Sequence, residues 1–287
     1  MTDSQKGLLW VHLATLLFGF PGLFAEWLDF LPSEQIVAGR TLFGSLFLLI
    51  LLSTIGKLPV PKDKRIWGRL VLTGVILAFH WWAFFRAIQL TNVAIGLLTF
   101  STFPLFTSVL EPIFLKEKLK ALDVGLALLV ILGVAIVGMD ALSLAGGIEG
   151  FLWGIAGGAS FAVMAIVNRG LGTEIQGLAL AAWQNLFAFL CLLPLVIQLP
   201  LPTESSSWGL LALLGILFTG IAHGLFNESM RFIRASTASL IVSMEPFYGI
   251  ILAYMLLGQE PKAWTLLGGS LILLAGFVPT WLGLRRK

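Results

Sequence analysis

Charge is what this sequence lacks. Only 11% of its 287 residues are Asp, Glu, Lys or Arg, where a soluble domain carries about 25%. So few charges cannot coat a water-facing fold, which excludes a soluble globular enzyme. Cysteine is scarcer still. Cys191 stands alone, so there is no disulfide framework and no CxxC metal cluster, and its setting in an apolar run reads as an inert core thiol. No G-x-x-x-x-G-K-[ST] loop is present to cradle phosphates, and no filter-like loop or ring of charge points to a channel. The net charge of +3 would suit nucleic acid, but the basic residues lie in short gaps between apolar runs and form no stripe. Nucleic acid is therefore not expected as a partner.

Hydrophobic residues, by contrast, make up 58% of the chain. A bilayer-crossing helix needs about 20 mostly apolar residues. Ten such windows can be marked, at roughly 8–27, 34–54, 67–88, 93–114, 121–139, 147–167, 176–199, 208–228, 235–257 and 263–283. Membrane barrel strands alternate apolar and polar positions, whereas LFGSLFLLILL (42–52) and GLALLVILGVAIVG (125–138) are apolar all round, so the spans are helices. The first is too long for a signal peptide and lacks a small-residue cleavage site, which makes it an uncleaved span. Short cytoplasmic loops collect Lys and Arg. With the amino terminus inside, 15 of the 18 basic residues fall inside, including Lys116, Lys118, Lys120, Arg285, Arg286 and Lys287, and only Arg40, Arg86 and Lys262 fall outside. Both termini are expected in the cytoplasm.

The chain also repeats itself. GLLW (7–10) recurs as GFLW (150–153), and NVAIGLLTFSTFPLFTSVL (92–110) aligns with RASTASLIVSMEPFYGIIL (234–252) at an offset of 142, placing Pro104 on Pro246. Each of the longer stretches leads to an acidic loop, LKEKL (115–119) or LGQEP (257–261), and Trp67 corresponds roughly to Trp208. Two five-helix halves follow, 1–143 and 144–287. An odd number of crossings makes the second enter from the opposite side, giving an all-α membrane protein of ten helices in two inverted repeats. The charges agree: five Lys and Arg follow the second window, whereas PLPTESSS (200–207) after the seventh has none.

Ionisable groups inside a membrane are costly and mark candidate sites. Counting about 1.5 Å of rise per residue, His80 lies a little beyond mid-membrane, and His223, on a helix running the other way, mirrors it. Two readings are open, a central site or a pair of buried imidazoles. Glu245 is the one carboxylate near the midplane, and its repeat mate is Phe103. It is either a coupling or binding group or a hydrogen-bonded packing group. Pro104 and Pro246 free a carbonyl each, so helices can bend there as hinges. Arg40 sits roughly 9 Å inside the outer face. Either it forms an outer gate with Glu34 or Glu26, or it snorkels to the interface. No Lys or Arg is expected at the depth of Glu245. Asn168, Asn227 and Glu228 form an inner gate with Arg231 or Arg169, or are simply solvated. In HWWAFF (80–85) the His80–Phe84 face, with Trp81 beside it, is placed to stack on an apolar or flat solute. Thr99, Phe103, Trp153, Ser160 and Met164 join as candidate substrate contacts by depth or helical spacing. Trp67, Trp208, Trp264 and Trp281 flank span ends as interfacial anchors. The Gly157-Gly158-Ala159-Ser160 run lets helices approach closely.

The G-x-L-W openings, GRTLF around Arg40, and the two stretches running from small residues through Pro to Glu, VAIGLLTFSTFP…KEKL and ASTASLIVSMEP…GQEP, resemble the drug/metabolite transporter superfamily, in particular its EamA-type ten-helix exporters. In this chain Glu260 stands one position beyond the expected place, which Gln259 takes, and Glu111-Pro112 is unusual. The resemblance implies export of a small organic solute, an amino acid or similar metabolite, across the bacterial inner membrane by alternating access without ATP. A carrier of the same fold for nucleotide-sugar, lipid or toxic-compound substrates is the alternative. No enzyme, metal or cofactor is expected. Protons are the candidate coupling ion, membrane lipids the surroundings, and a monomer or weak homodimer the assembly.

Overall fold

The computed structural model describes residues 2–115 and 121–285. Lys116, Lys118 and Lys120, most of the LKEKL loop, Arg286 and Lys287 lie outside the described residues, as do the side chains of Trp281 and Arg285. Within lipid no water satisfies backbone N–H and C=O groups, so apolar segments close their hydrogen bonds internally. Every regular element among the described residues is accordingly helical: α1 (Asp3–Phe18), α2 (Pro21–Trp27), α3 (Ser33–Thr54), α4 (Lys64–Leu90), α5 (Val93–Phe100), α6 (Phe103–Leu115), α7 (Ala121–Ala141), α8 (Gly147–Leu171), α9 (Gly177–Val196), α10 (Ser205–Gly215), a π-helical turn (Ile216–Ile221), α11 (Ala222–Ser229), α12 (Ala235–Val242), α13 (Glu245–Leu257) and α14 (Ala263–Arg285). Nine helical stretches among the described residues are long and apolar enough to cross a membrane. The tenth expected window falls on α14, Ala263–Arg285, whose side chains are described without interruption only as far as Ala275, and that part is apolar.

Three stretches are broken in mid-course. The stretch Asp3–Trp27 divides ahead of Pro21, Val93–Leu115 at Ser101–Thr102, and Ala235–Leu257 at Ser243–Met244. A proline ring clashes with the carbonyl four residues back. Four before Pro104 is Phe100 and four before Pro246 is Val242, the last residues of α5 and α12. The expected bends are therefore full breaks, beginning three residues ahead of each proline. Hydroxyls at the breaks bond back to carbonyls of the preceding turn: Ser101 Oγ donates to Leu97 O at 3.0 Å, Thr102 Oγ1 to Thr99 O at 3.1 Å and Ser243 Oγ to Leu240 O at 2.6 Å. The stretch Ser205–Ser229 stays continuous but widens into the π turn, where Thr219 Oγ1 donates to Leu214 O at 2.8 Å.

Helix starts are capped locally and from across the chain. Asp63 caps α4 and Asn92 caps α5, accepting from the amides of Arg65 and Ile95 at 2.8 and 2.9 Å. Three further carboxylates serve distant helices: Glu228 accepts from Gly177 N at 2.7 Å, Glu111 from Ser236 N at 3.3 Å, and Asp140 from Thr265 N at 3.0 Å. Each puts negative charge where a helix presents unsatisfied N–H groups.

Packing runs α4 on α8, α3 on α9, α7 on α14 and α1 on α11, with α5 and α6 against α13 and α12. Small residues permit the closest approaches. A Cβ on Gly268 would stand 2.3 Å from Gly133 O, and one on Gly158 2.5 Å from Phe100 O, so the expected close-packing role of the Gly157–Ser160 run is met at Gly158. Trp67 and Trp208 make a matching contact, each indole donating to the carbonyl of the proline six residues earlier, Pro61 at 2.8 Å and Pro202 at 3.0 Å. One expectation is overturned here: Cys191 is exposed on α9 and is no core thiol, because the apolar run carrying it presents one face outward.

Candidate functional site

The broken and widened helices converge. Arg40 from α3, His80, Trp81 and Phe84 from α4, Met164 from α8, His223 from α11 and Glu245 from the start of α13 line one cavity, with Phe18, Pro21, Leu77, Phe100, Phe161 and Val242 completing its wall. Its volume is about 30 Å³, room for roughly two water molecules. An organic solute does not fit without rearrangement, so the side chains stand close together around the polar groups.

Arg40 is 1% exposed. Its Nε donates to Thr219 Oγ1 at 2.8 Å and Nη2 reaches Phe218 O at 3.5 Å. The guanidinium carbon lies 3.9 Å from the centre of the Trp81 ring, a cation–π geometry that is strongest where water is excluded. Thr219 can serve Arg40 because its own proton is committed to Leu214 O, five residues back, within the π turn. Arg40 Nη1 has no hydrogen-bond partner among the described residues. His223 meets Trp81 edge-on, its ring 5.7 Å from that of Trp81, and neither of its nitrogens has a hydrogen-bond partner among the described residues. His80 Nδ1 lies 3.2 Å from Gly157 O; since a carbonyl only accepts, this nitrogen carries the hydrogen. Rings of Phe100 and Phe161 stand 5.1 Å from His80 on the aromatic side of the wall.

Of the expected substrate contacts, His80, Trp81, Phe84, Met164, His223 and Glu245 share this lining, and the others do not. Thr99 spends its hydroxyl on Ile95 O and Gly96 O and packs against Gly154. Phe103 stands behind the wall, 4.9 Å from both Phe100 and Phe161. Trp153 lies on another face of α8, bonded to Glu149 and packed 4.7 Å from Trp82. Ser160 Oγ turns back to Gly157 O.

The expected outer gate at Arg40 is corrected. Glu34 accepts from Trp82 Nε1 at 3.3 Å instead, and Arg40 lines the central cavity with Glu245. A cation thus does share the site of Glu245, contrary to expectation. Depth counted along α3 alone missed this, because a guanidinium reaches several ångströms beyond its backbone. The available signal was an arginine in an otherwise apolar span, which rarely faces lipid. Of the residues expected at an inner gate, Asn168 meets Asn227 and Glu228 meets Arg231. Asn227 Oδ1 accepts from Asn168 Nδ2 at 2.8 Å and its Nδ2 donates to Gln184 Oε1 at 3.2 Å, forming a buried amide cluster. Arg231 pairs with Glu228 at 2.6 Å, and Arg169 donates to Met230 O. Gln184 was missed because polar residues within apolar windows carry no partner information in sequence.

Two stretches of the chain, residues 5–139 and 148–280, match the EamA-like transporter family. An uncharacterized transporter of Bacillus subtilis, YxxF, is 26% identical over 262 residues, covering 89% of this chain and 83% of its own. The pseudopaline exporter CntI of Pseudomonas aeruginosa is 26% identical over 282 residues, 94% of each chain. Human solute carrier family 35 member G1 is 25% identical over 294 residues, 95% of this chain and 78% of its own. A solved crystal structure superposes with a TM-score of 0.77 at 20% identity, covering 100% of this chain and 99% of that one, which shows a shared fold. This multi-pass, all-helical membrane chain belongs to the EamA-like transporter family, within the drug/metabolite transporter superfamily.

Proposed function

We propose that the protein is a secondary transporter that exports a small organic solute, an amino acid or similar metabolite, across the bacterial inner membrane by alternating access. The observation that carries this reading is the narrow central cavity, where charged and aromatic side chains meet at helix breaks. Discontinuous helices around a midplane site are how secondary transporters present backbone groups and helix ends to a solute. Alternating access then moves the halves 1–143 and 144–287, read as inverted five-helix repeats, about that site. The paired breaks before Pro104 and Pro246 and the matching Trp67–Pro61 and Trp208–Pro202 contacts support the repeat. So does the packing, in which α4 meets α8 and α1 meets α11, as a two-fold exchange of halves requires. The charge asymmetry of the loops supports cytoplasmic termini, and the exporter named among the relatives supports outward movement. Arg40 is the one observation that favours a phosphate-bearing solute such as a nucleotide sugar; Glu245 in the same lining opposes it.

The test is efflux of labelled amino acids from vesicles reconstituted with the full chain. His80→Ala is expected to lower efflux at least tenfold at equal insertion, whereas Trp67→Ala, which loses a loop contact, is expected to stay within about twofold. Normal efflux through His80→Ala would remove that residue from the site.

A further inference from the structure

Opposite formal charges share the central cavity without touching. Arg40 and Glu245 both line it, yet no ion pair or hydrogen bond joins them among the described residues. Glu245 is 5% exposed. The two groups feel one another across the cavity but close no contact, so neither satisfies the other's hydrogen-bonding atoms, and a counter-charge that reaches either one relieves the cost of burying it. Arg40 is meanwhile held in place by three neighbours, Thr219, Phe218 and Trp81. Thr219 takes Nε, Phe218 O takes Nη2, and Trp81 covers the guanidinium face, so rotation of the side chain is constrained while Nη1 stays unpartnered. A fixed fork with a free N–H suits a carboxylate oxygen.

We propose that Arg40 is the specificity-determining anchor for an anion in this site and Glu245 the anionic counterpole that receives a cation, so that the transported solute must carry a carboxylate and an ammonium together. The proposal rests on the transport reading above. One positive and one negative pole leave no surplus charge for a phosphate dianion or a lipophilic cation. Thr219 is a positioning residue, and it can reach Arg40 only because the π turn, with its bond to Leu214 O, turns the hydroxyl oxygen toward α3. The aromatic wall of Phe84, Phe100 and Phe161 faces the remainder of the solute.

The experiment uses three probes of one skeleton, L-phenylalanine, 2-phenylethylamine and 3-phenylpropionate, with binding to the purified full chain and counterflow in reconstituted vesicles as readouts. The same comparison is run for leucine and its amine and acid analogues. The intact protein is expected to prefer each zwitterion at least tenfold over both analogues. Arg40→Gln is expected to shrink the preference for phenylalanine over phenylethylamine at least tenfold, and Glu245→Gln to shrink the preference over phenylpropionate equally. Arg40→Lys, which keeps the charge and the fold but not the fork, is expected to retain part of the preference. Thr219→Val is expected to give a smaller loss in the same direction as Arg40→Gln, which a merely structural threonine would not produce. Equal handling of zwitterion and analogue by the intact protein overturns the two-pole site while leaving the transport reading in place. Selectivity unchanged in Arg40→Lys and Arg40→Gln does the same. Vesicles that move neither these probes nor any labelled amino acid, metabolite amine or nucleotide sugar overturn the transport reading as well.

Discussion

The ion pair between Glu111 and Arg234 is the clearest place to test whether the packing of α6 on α12 is held by charge. Arg234 Nη2 lies 2.7 Å from Glu111 Oε2, Glu111 is 0% exposed and Arg234 16%. The other carboxylate oxygen takes Ser236 N at 3.3 Å, so one side chain both pairs the arginine and caps α12. Beside them Thr107 and Ser239 share a hydrogen bond of 3.0 Å. Breaking a buried pair by removing one partner costs about 3–5 kcal/mol. Glu111→Gln keeps one acceptor, so about 3 kcal/mol is expected. Arg234→Met leaves the carboxylate with one amide, and about 5 kcal/mol is expected by the same principle. For a chain of this length roughly 2 °C of Tm accompanies each kcal/mol, giving shifts of about 6 and 10 °C in detergent, measured as loss of the monodisperse peak after heating. The double variant Glu111→Leu/Arg234→Met removes both charges and is expected to regain at least half of the loss summed over the single variants. Additive losses would show that the two side chains act independently and refute the argument.

Gly268→Val is expected to disrupt α14 against α7 severely, since even a Cβ there would stand 2.3 Å from Gly133 O; a Tm within 2 °C of the unaltered protein would contradict the close approach. In a Cys191→Ser background, needed because that thiol is exposed, single cysteines at 204–206 are expected to label from the periplasmic side of intact cells. Labelling only after the membrane is breached would sink the inverted orientation of the second half.

How the site assembles was only partly legible. His80 and Phe84 could be joined in advance because they lie one helical turn apart, and they do share the cavity. His223 and Glu245 could be placed by depth, which survives folding when helices cross the bilayer at modest tilt. Thr99, Phe103, Trp153 and Ser160 lie off the cavity lining by azimuth: depth says how far along a helix a residue lies, but not which face it occupies. Those faces cannot be told apart by hydrophobicity here, since lipid-facing and core-facing residues are equally apolar. Cys191 was misplaced for the same reason.

The sequence by itself determined the spans, because backbone hydrogen bonding in lipid leaves helices as the outcome for such apolar runs, and the observed boundaries follow the windows closely from Ser33–Thr54 to Ala235–Leu257. It also determined where helices break, since Pro104 and Pro246 act on carbonyls four residues away on the same chain. Only the tertiary structure decided which polar groups meet. The carboxylates of Glu111, Asp140 and Glu228 cap helices that begin 51 to 125 residues away, and Arg40 is aimed by Thr219, 179 residues on. Such partners are chosen by the geometry of packed helices, where an unsatisfied polar group is expensive and the nearest complementary group is set by the fold.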